Sequence, residues 1–132
     1  HWTRDWPTQE ISDGVGLAAL ARGHVGVSFI LAHIGGGGDY LHILPAIADT
    51  PNILVDVSGS GVDRGMLDEA ILQLGAERIL WGCDVTMETG IAKLMGFEAI
   101  RLDAGQRRLI RYGNAVRIFP AGSFPLAEPA PA

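Results

Sequence analysis

Cysteine occurs once in the 132-residue chain, so no internal disulfide can form and nothing points to an oxidising compartment. Ten Lys and Arg stand against fifteen Asp and Glu, a formal charge of −5 with no basic run; that balance argues against nucleic acid as a partner. No apolar segment reaches the ~18 to 20 residues of a membrane span, and no basic-then-apolar leader opens the chain. A soluble, cytoplasmic protein without membrane contact is the expectation. No Lys-Ser or Lys-Thr follows the glycine run at 35 to 38, which sets aside a phosphate-cradling P-loop. What the chain does have is 48% hydrophobic residues, enough for the core of one domain, and eighteen glycines. Many of these glycines follow apolar runs, where they imply unusual backbone angles or close approach to a ligand. The chain opens on His1 rather than Met, so it reads as processed or as a piece of something longer.

Residues 1 to 10 carry two Trp and a Pro without period and read as a loop. Ser12 is the expected cap of a helix running to Arg22, closed by Gly23. Residues 25 to 32 are apolar on both alternating faces, the pattern of a strand covered on both sides. Tyr40, Ile43, Leu44 and Ile47 follow helical spacing, with Pro45 expected to delay or bend that helix. A turn at 50 to 52 leads to a second strand at 53 to 57, and Leu67, Ala70, Ile71 and Leu74 mark the next helix, closed by Gly75. The third strand is expected at 78 to 82, in the run Arg78-Ile79-Leu80-Trp81-Gly82-Cys83-Asp84. Val27, Ile53 and Ile79 stand 26 residues apart. Strand, glycine-rich loop, helix and strand thus recur as a β/α unit, which demands parallel strands with helical crossovers. Beyond a loop at 85 to 90 come weakly helical segments, with Asp103 expected to cap 104 to 112 and Asn114 to cap a last turn. Residues 120 to 132, rich in Pro and Ala, read as a disordered tail.

Parallel β/α units present functional groups at the carboxyl ends of their strands. His33 and Asp84 both fall there, two strands apart. In a closed eight-stranded barrel, alternate strands fill one interior layer, and these side chains would converge on the axis. An imidazole nitrogen and a carboxylate oxygen both suit zinc, and such a metal acidifies bound water to a pKa of about 7. Blander roles exist: His33 as a turn or polar-pocket residue, Asp84 as the cap of the following helix. Their matching positions in two repeats favour a site.

The segments ILAHIGGG (30 to 37), PNILVDVSGSG (51 to 61), LGAERILWGCD (74 to 84) and LIRYGNAVRIF (109 to 119) resemble, in order and spacing, the C-terminal half of the amidohydrolase-related family, also called the second amidohydrolase family. That resemblance implies part of a distorted TIM barrel over residues 1 to 119. It also implies a divalent metal, zinc first with manganese as the alternative, and a small-molecule substrate. Through it, His33 and Asp84 match the active-site residues ending the sixth and eighth strands. Asp84 is implied as metal ligand, and His33 as ligand or as the group that activates water or protonates substrate. His1 matches the metal-binding His one unit earlier. The chain departs from the family at Cys83-Asp84-Val85-Thr86, where Ser-Asp, an aromatic and Pro are usual, and it lacks the His-x-His pair of the first strand.

The expectation is therefore a metal-dependent hydrolase acting on a cyclic amide, ester or lactone through activated water. Two alternatives stay open: a non-oxidative decarboxylase of an aromatic or unsaturated acid, and a non-catalytic half-barrel module. A barrel needs ~200 residues or more, so the chain is read either as the last units of a larger enzyme or as a half that closes a barrel by homo-oligomerisation. Ser58 and Arg64 are candidate substrate contacts. Asp56 is read as making a structural hydrogen bond, His24 and His42 as surface residues, and Cys83 and Trp81 as packing, with Trp2 and Trp6 as further candidates for a pocket wall.

Overall fold

The computed structural model describes residues 13–34, 39–59, 65–85 and 90–123. The order is α1 (Gly14–Arg22), β1 (Phe29–Leu31), α2 (Tyr40–Ala48), β2 (Ile53–Asp56), α3 (Met66–Leu74), β3 (Ile79–Leu80), α4 (Ile91–Ala99), α5 (Ala104–Arg108) and α6 (Asn114–Ile118). Short 3-10 turns at Ala32–Ile34 and Ala76–Arg78 flank the strands, and a π-helical turn, Leu109–Gly113, joins α5 to α6. The sheet is parallel in the order β1-β2-β3, as the repeating β/α unit requires. Phe29 pairs with Ile53 and Val55 with Ile79. Partners are thus 24 residues apart, where the repeat is 26. A shift of two residues keeps every side chain on its own face.

Alternation along the strands separates two faces. Phe29, Leu31, Ile53, Val55 and Ile79 join the core beneath Ala18 and Ala21 of α1, Leu44 and Ile47 of α2, and Ala70 and Leu74 of α3. Ile30, Leu54, Asp56 and Leu80 lie on the other face. Each fully buried Ile or Leu contributes about 1.5–3 kcal/mol, so this helix-side layer holds the fold.

The expected first strand is shorter than its apolar run. Residues 25 to 28 form a turn, and Val25 and Val27 are 82% and 49% exposed. The cause is Asn52, whose amide nitrogen reaches the carbonyls of Ala21, His24 and Val27 at 3.0, 3.1 and 2.9 Å. The backbone there is bound to one side chain and cannot enter a ladder. Asp13, not Ser12, is the first residue described as a cap, its carboxylate accepting from the Gly16 N–H at 2.8 Å. Pro45 lies inside α2 and is exposed. Asp103 caps α5 through a capping box with Gln106, as its position implied. Asn114 is not a cap: it is fully buried, and its amide donates to the carbonyls of Ala76 and Ile79, both at 2.7 Å. The tail expectation falls on 120 to 132, of which only a turn closed by Ser123 N–H on Pro120 O is described.

Arg78 joins these pieces. Its side chain is buried, and its guanidinium donates to the carbonyls of Ile53 and Ala48 at 2.8 Å and of Ile47 and Thr50 at 2.9 Å. The end of α2, the turn after it and the start of β2 are therefore fastened to β3. Burial pulls the guanidinium below its ordinary pKa, with the neighbouring Glu77 carboxylate opposing. The cation rests on carbonyl dipoles, including those at the negative end of α2.

The π turn has a similar role. The Asn114 N–H bonds to Leu109 O, five residues back, so it does not take Ile110 O as an α-helix would have it do. Ile110 O instead accepts from the Trp81 N–H at 2.9 Å. This ends β3 two residues earlier than the expected strand.

Arg78→Met is expected to lower unfolding free energy in urea by about 3 kcal/mol or more, because it leaves buried carbonyls unsatisfied. Thr50→Val is expected to raise it by about 1 kcal/mol. The Thr50 hydroxyl is buried and has no hydrogen-bond partner among the described residues, and valine keeps its shape.

Candidate active site at the carboxyl ends of the strands

The chain leaves each strand abruptly on the same side of the sheet. After β1, His33 and Ile34 adopt φ of 65° and 45°, and after β3 Asp84 adopts 57°; these are the non-glycine residues with positive φ among those described. Such backbone costs about 1–2 kcal/mol per residue and concentrates at functional sites. Two of the three are the residues singled out by sequence.

His33 is 43% exposed at its side chain and faces the end of β2. Its Nδ1 lies 2.9 Å from Ser58 Oγ, and its backbone N–H donates to Asp56 Oδ1 at 3.2 Å. Asp56 Oδ1 also accepts from the Ser58 N–H at 2.8 Å and, in a short hydrogen bond, from the Ser58 hydroxyl. Asp56 and Ser58 are two apart, so they project to one face while Val57 between them enters the core. Close approach is built in at Gly59, with φ of 87°, where a Cβ would stand 2.7 Å from His33 Cγ and Nδ1. At Gly82 a Cβ would stand 3.2 Å from Ser58 Cβ.

A cavity of about 480 Å³ borders Asp56, Ser58, Trp81 and Gly82, with Ile30 and Leu80 beneath and Phe119 beside them. A larger one of about 600 Å³ lies between α3 and α4 and meets Val57 and Ile34. The smaller cavity is the better candidate for substrate, because Asp56 and Ser58, the partners of His33, line it. Lys93, buried on α4, donates to the Ser58 carbonyl at 3.3 Å; sequence reading passed over it, although a charge among the apolar residues of α4 was a visible signal. Phe97 of α4 meets Trp81 edge-on at 5.4 Å, so Trp81 packs in the core and lines both cavities.

Asp84 is exposed beyond β3, and Cys83 is half buried. The structure brings His33, Ser58 and Asp56 into one hydrogen-bonded group, and Asp84 is outside it. His24 and His42 are exposed on the surface, as expected. His1, Arg64, Trp2 and Trp6 lie outside the described residues. Among the described residues no three His, Cys, Asp or Glu side chains converge to hold a metal. By donor chemistry the imidazole of His33 and the carboxylate of Asp84 suit zinc or manganese.

Parallel strands, helical crossovers and a polar cluster at the strand ends are the arrangement of part of a β/α barrel. Residues 8–121 match the family model described as Amidohydrolase. The chain belongs to that family. No curated protein matches it. Solved structures do, with the fold of TIM-barrel amidohydrolases. An amidohydrolase from Burkholderia multivorans with bound zinc is 19% identical with a TM-score of 0.60, over 77% of this chain and 47% of that one. A 2,6-dihydroxybenzoate decarboxylase from Rhizobium is 24% identical with a TM-score of 0.63, over 80% and 39%. A dihydroxybenzoic acid decarboxylase from a Polaromonas species, with bound manganese and the inhibitor 2-nitroresorcinol, is 24% identical with a TM-score of 0.61, over 80% and 38%. This chain spans less than half the length of each. Among its described residues no helix is long and apolar enough to cross a membrane.

Gly59→Ala is expected to push the His33 ring off Ser58 and to destabilise by about 2 kcal/mol, since it adds strain at positive φ to a clash. Thermal unfolding measures the second effect, and displaced His33 ring signals in the NMR spectrum measure the first.

Proposed function

We propose that this chain carries one part of the active site of a metal-dependent hydrolase acting on a small cyclic amide, ester or lactone. The observation that carries this reading is the His33–Ser58–Asp56 group at the carboxyl ends of neighbouring strands, held by strained backbone beside a cavity. A divalent metal would be held by His1, Asp84 and His33, and when bound it supplies a Lewis acid that polarises an oxygen and eases loss of a proton from water near neutral pH.

The chain's own groups do the rest. His33, with Nδ1 engaged by Ser58, keeps Nε2 for either metal ligation or proton transfer. Asp84, on its strained turn, offers a carboxylate as ligand or proton acceptor. Trp81 and the apolar residues under the cavity exclude water and suit a planar substrate. Decarboxylation of an aromatic acid is the second reading, favoured by the similarity to two dihydroxybenzoate decarboxylases.

The test supplies zinc or manganese to the complete barrel that includes this chain, as a longer polypeptide or an assembly of copies, and measures ring-opened product from lactones and cyclic amides beside carbon dioxide from dihydroxybenzoates. Ring opening is expected, and His33→Asn and Asp84→Asn should each lower kcat by about 10²-fold or more. Carbon dioxide release alone would establish the decarboxylase, and full turnover in both variants would overturn the site. Failure of both turnover and metal uptake in that complete barrel would favour a non-catalytic half-barrel.

A further inference from the structure

We infer that Asp56 and Ser58 are positioning residues that hold the His33 imidazole in its Nδ1-protonated tautomer, so that the Nε2 lone pair is its working atom. This rests on the reading of His33 as an active-site residue, and it reassigns Ser58 from substrate contact to support.

The argument is a count of protons. Ser58 Oγ stands between His33 Nδ1 at 2.9 Å and Asp56 Oδ1, with which it also hydrogen-bonds. A hydroxyl has one proton to donate, and a carboxylate has none. The Ser58 proton therefore goes to Asp56, and Ser58 Oγ must accept from its other neighbour. That neighbour is Nδ1, which then carries the ring proton and leaves Nε2 bare.

The serine cannot be bypassed. Nδ1 and Asp56 Oδ1 are 4.0 Å apart, beyond hydrogen-bond length. The same Oδ1 accepts the backbone N–H groups of His33 and Ser58 at 3.2 and 2.8 Å, so one oxygen fixes both main chains and the hydroxyl. Gly59 lets the ring sit flush: a Cβ there would meet Nδ1 at 2.7 Å. This is the arrangement by which a histidine's far nitrogen is oriented through a partner on the near one.

The test is nitrogen-15 NMR of the uniformly labelled chain at about pH 8, above the ordinary histidine pKa of about 6.5. The chain has four histidines, and the His33→Gln spectrum identifies the His33 pair by difference. A protonated-type signal at Nδ1 and an unprotonated-type signal at Nε2 are expected in the unaltered protein. Ser58→Ala should shift the balance toward Nε2–H. Ser58→Thr, which keeps the hydroxyl, should restore the original pattern. Asp56→Asn supplies an amide that can donate, which frees the serine proton to turn toward Nδ1 and should likewise move the ring proton to Nε2. An Nε2-protonated ring in the unaltered chain would overturn the inference, even if the variants failed to fold. So would a Ser58→Ala spectrum with the tautomer unchanged. None of these readouts needs turnover, so the tautomer can fail while the hydrolase reading stands, and the reverse.

Discussion

A single buried cation fixes the frame on which everything else is mounted. The Glu77 carboxylate is near enough to support the charge of Arg78, but the guanidinium directs its N–H groups at carbonyls from α2, the turn after it and β2. Arginine suits that place because its planar fork keeps its charge in surroundings where lysine would shed it. Asn52 and Asn114 work in the same way at neighbouring points, each gathering main-chain carbonyls that no ladder reaches. Short strands of two to four residues have few ladder bonds of their own, so these side chains set where each strand begins.

The opposite ends of the strands follow another rule. There the backbone is strained rather than saturated, and polar groups face outward into a cavity. Rigid beginnings and strained, polar endings match the division of stability from chemistry found along the strands of β/α enzymes.

Much of this was legible in the sequence, for reasons that can be located. The parallel sheet followed from the repeat, and the cap at Asp103 from its position before a helical run. His33 and Asp84 stood out because each ends an apolar run. Val25 and Val27 misled, since an apolar pattern cannot reveal that Asn52, some 25 residues on, already holds their backbone. Asn114 looked like a cap because its usual place in short helices is at the start; its buried role depends on carbonyls more than 30 residues away. Asp56 was read as structural on local grounds. Its hydrogen bond from the His33 N–H, 23 residues earlier, exists only once the sheet has formed.

The π turn at Leu109–Gly113 has a mechanical meaning. By releasing the Ile110 carbonyl to the Trp81 N–H, it splices the C-terminal helix into the edge of the sheet. Asp84 follows three residues after that splice, so its position is referenced to a stretch of chain far downstream. Any change that tightened the helix by one hydrogen-bond step would withdraw the anchoring carbonyl and let the loop bearing the carboxylate drift. The terminal helix thus serves the site as a gauge block, setting a spacing without touching what is placed.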